Sequence, residues 1–159
     1  AKHFWSCVAV DRPKTKKKLL ENIETYKPEG GFTLEEVIEF KNELLGIYPV
    51  DLAVGRKTLK TLIDNFVCPL SVHDEILETC WFIVKEVNWR KTKENKHYCI
   101  LDVVDSTGQI NSIKCWGTDP NVNNFLIHRA YYAKKIDFSE QWGYSARNIK
   151  KNFVLLERK

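Results

Sequence analysis

The chain has 159 residues, 25 of them Lys or Arg and 21 Asp or Glu, for a net charge of +4. No run approaches the roughly 20 apolar residues of a membrane-crossing helix, and Ala1-Lys2-His3-Phe4-Trp5 lacks the apolar segment of a secretion signal, so a cytoplasmic location is expected. Cysteines at positions 7, 68, 80, 99 and 115, an odd number with no C-x-x-C pair, argue against a disulfide framework and a structural zinc site, and most are expected to be reduced and buried.

In chain order, Phe4 to Val10 has the aromatic and β-branched content of a short strand, broken by Arg12-Pro13-Lys14-Thr15. Leu19, Leu20, Ile23 and Tyr26 recur at helical spacing until Pro28 and Gly30-Gly31. Thr33 and Glu36 form a capping box, in which each side chain satisfies an amide left free at the helix start. Leu34, Val37, Ile38, Leu44 and Leu45 continue that helix as an apolar stripe to Gly46. Leu59, Leu62, Ile63, Phe66 and Val67 mark another helix before Pro69, and Ser71 with Asp74 can cap a short one. From Cys80 the period becomes alternating, with strands expected at 80–89, 97–104, 109–116, 130–138 and 148–157. A helix is expected after the Asp119-Pro120 pair, between the third and fourth strands. The predicted fold is α+β: a helical segment with a short N-terminal strand over 1–72, then a five-stranded OB-fold β-barrel over 73–159.

The run Arg90-Lys91-Thr92-Lys93, a strand, then Asp105-Ser106-Thr107-Gly108-Gln109-Ile110 resembles the R-K-T-K, strand, D-E-T-G-x-I pattern in the OB domain of bacterial DNA polymerase III alpha subunits, the family C replicative polymerases. Upstream, Glu43-Leu44-Leu45-Gly46-Ile47-Tyr48 resembles the E-x-L-G-F-Y element of the same family. The segments Gly31 to Val37 and Gly55 to Ile63 are similar, more loosely, to its helix-hairpin-helix-bearing region. The His-Pro that follows L-G-F-Y in the family is replaced here by Pro49-Val50-Asp51, and Tyr48 stands where an L-x-G-I-G-P hairpin has its second glycine, which favours a plain helix stop at Gly46. The resemblance spans roughly residues 30–117 and implies a non-catalytic C-terminal module of a polymerase that binds template. With Ala1 first and no methionine, the chain is read as a piece of a longer protein, bacterial or phage-encoded, whose catalytic aspartates lie elsewhere.

No catalytic residue, metal site or cofactor is assigned. His3, His73, His97 and His128 lack ligand spacing, no G-x-S-x-G, Walker or H-E-x-x-H motif occurs, and Glu35 with Glu36 reads as the solvated side of a helix. Charge is unevenly spread: six Lys/Arg against one acid in residues 1–18, five against twelve in 19–84, and fourteen against eight in 85–159. Basic ends around an acidic middle point to nucleic acid at the ends and a partner-facing middle.

Binding an unpaired strand takes cations along the phosphates and flat rings for the bases. The candidates are Arg90, Lys91, Lys93 and Lys96 in the first loop, Trp89 and Tyr98 flanking it, Lys114 and Trp116 on one strand face, and Trp142, Tyr144 and Arg147 in a loop expected at 139–147. Trp89, Trp116 and Tyr98 have an alternative as core residues, Trp142 and Tyr144 could instead cover a barrel mouth or meet the helical half, and Arg12, Lys14 and Lys16 to Lys18 could bind phosphate or line a solvated helix. The expected partner is single-stranded DNA, with other domains or subunits of a replication complex. The rivals are an anticodon-type barrel binding RNA through Asn88, Gln109 and Asn111, and a protein-interaction barrel using the acidic middle.

Overall fold

The computed structural model describes residues 32–65, 67–71 and 79–159, and the backbone of 76–77. The strand expected at 4–10, the helix at 19–26, the basic segment at 12–18 and the Asp74-capped helix lie outside the described residues.

Helix α1 (Leu34–Leu45) starts at the expected capping box: the Glu36 amide donates to the Thr33 hydroxyl at 3.2 Å, and the Thr33 amide donates to the Glu36 carboxylate at 2.8 Å. It stops at Gly46, whose left-handed backbone (φ 66°) closes the last turn without a Cβ clash. Only Ile38 of its apolar stripe is fully buried. After Tyr48 and Pro49 come the short helices α2 (Val50–Val54) and α3 (Arg56–Asp64), joined by Gly55. A Cβ at Gly55 would stand 2.5 Å from the Lys159 carbonyl oxygen, so glycine lets the chain's last residues lie against α3.

Among the described residues nine strands form one curled mixed sheet, seven of them from Cys80 on, where five were expected: β1 (Cys68–Pro69), β2 (Ile76–Leu77), β3 (Cys80–Lys91), β4 (His97–Val104), β5 (Ile110–Trp116), β6 (Ala130–Ala133), β7 (Ile136–Ser139), β8 (Gly143–Ala146) and β9 (Phe153–Leu155). The sheet order is β2-β7-β8-β5-β4-β3-β6-β9, with β1 beside β3. Strands β3, β4 and β5 make an antiparallel meander, β5 pairs with β8 in parallel, β8 with β7 antiparallel, and β6 antiparallel with the first half of β3. Only Lys134 and Lys135 separate β6 from β7, so the chain itself bridges the two ends of the curl. The result is a barrel-like α+β architecture.

Three departures from the expected elements have local causes. The strand expected at 130–138 breaks at Lys134-Lys135: the Lys134 amide is shared between the Asn152 backbone carbonyl at 3.1 Å and the Asn152 side-chain oxygen at 3.0 Å, and the Lys135 amide donates to that side-chain oxygen at 2.8 Å. The strand expected at 148–157 opens with Asn148 in the left-handed region (φ 53°) and one helical turn, α4 (Ile149–Asn152), leaving only β9 extended. The helix expected after Asp119 is replaced by turns, because side chains compete for the backbone. The Asn121 amide donates to the Asp119 carboxylate at 2.8 Å and the Asp119 amide to the Asn123 side chain at 3.2 Å. Phe125, from this irregular segment, joins the core inside the curl, packing on Trp89, Tyr131 and Phe153.

Two apolar clusters share strand β3. Cys80, Phe82 and Val84 point into the curl with Cys99, Leu101, Val103, Ile113 and Cys115. Trp81 and Ile83, on the opposite face, are covered by Ile38, Tyr48, Ala53, Val54 and Leu62 of the helical segment. Burying both faces explains why β3 opens as an unbroken apolar run, Cys80 to Val84. Polar ties reinforce the junction. The Tyr48 hydroxyl hydrogen-bonds His128 Nδ1 at 2.8 Å, His128 Nε2 lies 3.3 Å from the Glu39 carboxylate, and Arg158 donates to the carbonyls of Ala53 and His128 at 3.0 and 2.9 Å. Burial pushes the Tyr48 phenol well above its ordinary range.

The turn Asp105 to Gly108 is a second polar knot. Asp105 is buried and accepts four hydrogen bonds: from the amide and hydroxyl of Ser71, both at 2.7 Å, and from the amide and hydroxyl of Thr107 at 2.9 and 2.7 Å. Asn111 donates to the Ser71 hydroxyl at 2.9 Å. Gly108 takes a positive φ of 76° to complete the turn.

Candidate nucleic-acid interface

Strand parity decides which candidate side chains can meet a ligand. On β4 and β5, Cys99, Leu101, Ile113 and Cys115 point inward, so Tyr98, Lys114 and Trp116 point outward. Tyr98 and Trp116 stand directly opposite across the two strands and stack, ring centroids 4.9 Å apart with planes 25° from parallel. In β8, paired in parallel with β5, Tyr144 and Ala146 are inward beside Ile113 and Cys115, and Ser145 is outward beside Lys114. Trp142 occupies the tight turn between β7 and β8, 64% exposed. The Lys114 ammonium lies 5.4 Å from the centre of the Trp142 ring and donates to the Trp142 carbonyl at 3.1 Å.

These groups enclose one open cleft of about 560 Å³, lined by Tyr98, Lys114, Trp116, Ser139, Trp142, Ser145 and Arg147. Three rings and two cations line it, and no carboxylate does. Arg90 sits beside Tyr98 in the ladder, on the outward row that continues to Trp116. Further down the same face the character reverses, with Glu86 opposite Asp102 and Asp102 accepting from the Ser112 hydroxyl at 2.6 Å. Positive charge is therefore confined to the end of the face that holds the rings.

The connection between β3 and β4 is compact. Thr92 and Lys96 pair through their backbones at 2.9 Å, and Asn95 takes a left-handed φ of 61° to turn the chain. Arg90, Lys91, Lys93 and Lys96 are all exposed there, with Lys96 held by Glu94 at 2.7 Å.

Of the eleven candidates, Tyr98, Lys114, Trp116, Trp142 and Arg147 come together in the cleft, and Arg90, Lys91, Lys93 and Lys96 flank it as an exposed group. Trp89 and Tyr144 do not join them. Tyr144 is 8% exposed, packs on Phe138, donates to the Leu70 carbonyl at 3.4 Å, and has its phenol pushed up by burial. The segment expected as a long loop is a short turn followed by a strand, which turns this ring inward. Trp89 packs against the core and tilts over Phe125, with ring centroids 6.3 Å apart. A β-bulge at Lys85, between the registered pairs Val84–Val103 and Glu86–Asp102, shifts the phase of β3: even-numbered residues point inward before it, and Val87 and Trp89 after it. Ser139 and Ser145 are lining residues that the sequence reading missed; Ser145 shares the face of Lys114 once 143–146 is recognised as a strand.

In comparison with known proteins, no family model matches the chain and no curated protein matches it significantly.

Proposed function

We propose that the chain is a non-catalytic module that binds single-stranded DNA, and that its curled sheet is an OB-type barrel. Support for the barrel type comes from the pairing order. A three-strand meander, a parallel partner for its third strand, and a broken strand that serves both that partner and the meander's first strand together follow the OB plan, once β6 and β7 count as one strand and β8 as the fifth. The observation that carries the function is the cleft: the Tyr98–Trp116 stack, the exposed Trp142, and Lys114 with Arg147 on one face without an acid among them. Exposed rings favour unpaired bases, which present a π-face whatever their identity, and adjacent cations favour their phosphates.

The parent we propose is a family C replicative polymerase, on the strength of the R-K-T-K and D-x-T-G resemblance. RNA readout through base edges has weaker support. Asn111 is engaged with Ser71, and Gln109 lies just before β5, at the opposite end from Trp116.

A tryptophan-fluorescence titration with oligo-dT at two salt concentrations tests the reading. Quenching is expected. If about four cations meet phosphates, affinity falls roughly a thousandfold for a tenfold rise in salt, at about 0.7 in the log–log slope per phosphate of a single strand. Absence of binding, or binding indifferent to salt, overturns the reading, and tighter binding of a structured RNA than of oligo-dT moves it to RNA.

A further inference from the structure

Arg147 belongs to two clefts. On one side it closes the aromatic groove; on the other it lines a second cleft of about 400 Å³ with Lys134, Lys135, Lys151, Asp137 and two asparagines. Four cations thus meet one carboxylate, and that carboxylate is already 3.6 Å from the Lys135 ammonium. Among the described residues no acid pairs with Lys134, Arg147 or Lys151. The fold does not need these charges. What holds the strand break together is backbone: the Lys134 and Lys135 amides donate to Asn152, and Asn152 donates back to the Lys135 carbonyl at 2.6 Å. Like charges gathered round a concavity repel one another until an anion enters, so the cluster costs stability in the free protein.

We infer that this second cleft takes the phosphates of the same DNA strand where it leaves the aromatic groove past Arg147. Its ligand is the phosphodiester backbone alone, because the cleft has no ring on which a base could stack. The inference rests on the reading of the groove as a single-strand site and adds a direction and a length to it. The strand runs from the Tyr98–Trp116 stack across Trp142 and Arg147 to Lys134, Lys135 and Lys151.

The test compares oligo-dT of about 4 nucleotides, enough to occupy the groove, with oligo-dT of about 12, within the range that one such barrel covers. The wild-type chain is expected to bind the longer strand at least tenfold more tightly. In a Lys134→Ala/Lys135→Ala/Lys151→Ala variant most of that gain disappears, the salt slope for the longer strand falls by about 2, and binding of the short strand is unchanged, which also shows that the variant folds. A control with Lys41, Lys57 and Lys60 changed to alanine removes the same charge from the exposed surface of the helices and is expected to keep the gain. Retention of the length gain in the cleft variant overturns the inference while leaving the groove reading intact. Equal loss in the control overturns it as a generic charge effect. If the wild-type chain binds neither strand, the groove reading itself fails, and the second cleft with it.

Discussion

Changing both Trp116 and Trp142 to alanine is expected to weaken oligo-dT binding by about a thousandfold. Stacking of a base on an aromatic side chain is worth about 2 kcal/mol, two rings about 4 kcal/mol, and each 1.4 kcal/mol is a factor of ten. The single changes should each cost roughly thirtyfold on the same scale. Trp142→Ala is the cleaner arm, because that ring is mostly exposed and its removal opens no cavity, so the melting temperature should hold. Trp116→Ala also removes the stack on Tyr98, worth about 1 kcal/mol of stability, and its melting temperature should fall by a few degrees. Tyr144→Phe serves as the internal control. Its ring faces the core, so binding should be unaffected. Calorimetric titration beside a thermal melt separates lost affinity from lost fold, and wild-type affinity in the double variant would remove the rings from the site.

The largest expected loss of stability is at Asp105. Its carboxylate is 1% exposed and is the acceptor for two amides and two hydroxyls that join the Ser71 segment to the turn entering β5. Asp105→Ala leaves those donors facing a void. Thr107 is exposed, so water can serve its amide and hydroxyl, but the half-buried Ser71 amide loses its acceptor, and hydrogen bonds to a charged group are each worth about 1.5–3 kcal/mol. A loss of about 3 kcal/mol, or roughly 6–12 °C in melting temperature for a chain of this size, is expected in urea and thermal unfolding. Asp105→Asn should cost about half as much, since its amide group must turn an N–H towards one of those donors. Neither change touches the groove, so residual folded protein should bind oligo-dT normally. A melting temperature within a degree of wild type for Asp105→Ala would show that the knot contributes little.

Features fixed by short-range chemistry were legible in the sequence. The Thr33–Glu36 box and Gly46 set the limits of α1, since a cap needs only its own neighbours. Alternation made Cys99, Leu101 and Val103 the better inward set on their strand while leaving Tyr98 open between core and groove, and it put Lys114 and Trp116 on one face without saying which. The alternation failed where one residue changed the phase. The bulge at Lys85 carries no composition signal in a strand as apolar as Cys80 to Val84, and it exchanged the faces of Trp89 and Arg90. The Gly143 to Ala146 strand was hidden for a different reason. Gly, Tyr, Ser and Ala form no run with strand propensity, and their extended backbone is set by pairing to β5 and β7, distant in sequence. The strand break was hidden in the same way, because Asn152, 17 residues from Lys135, supplies the hydrogen bonds that end the ladder. The D-x-T-G turn was legible as a turn, but its tie to Ser71 was not, as that contact spans 34 residues.

The central claim is that unpaired bases stack in the cleft of Tyr98, Trp116 and Trp142. It is tested most directly by following the tryptophan indole N–H resonances of ¹⁵N-labelled protein while oligo-dT is added. Trp116 and Trp142, assigned through their alanine variants, should shift or broaden in proportion to the bound fraction, while Trp81, 2% exposed beneath the helical segment, stays in place. Saturation of binding with the Trp116 and Trp142 signals unmoved would contradict the account.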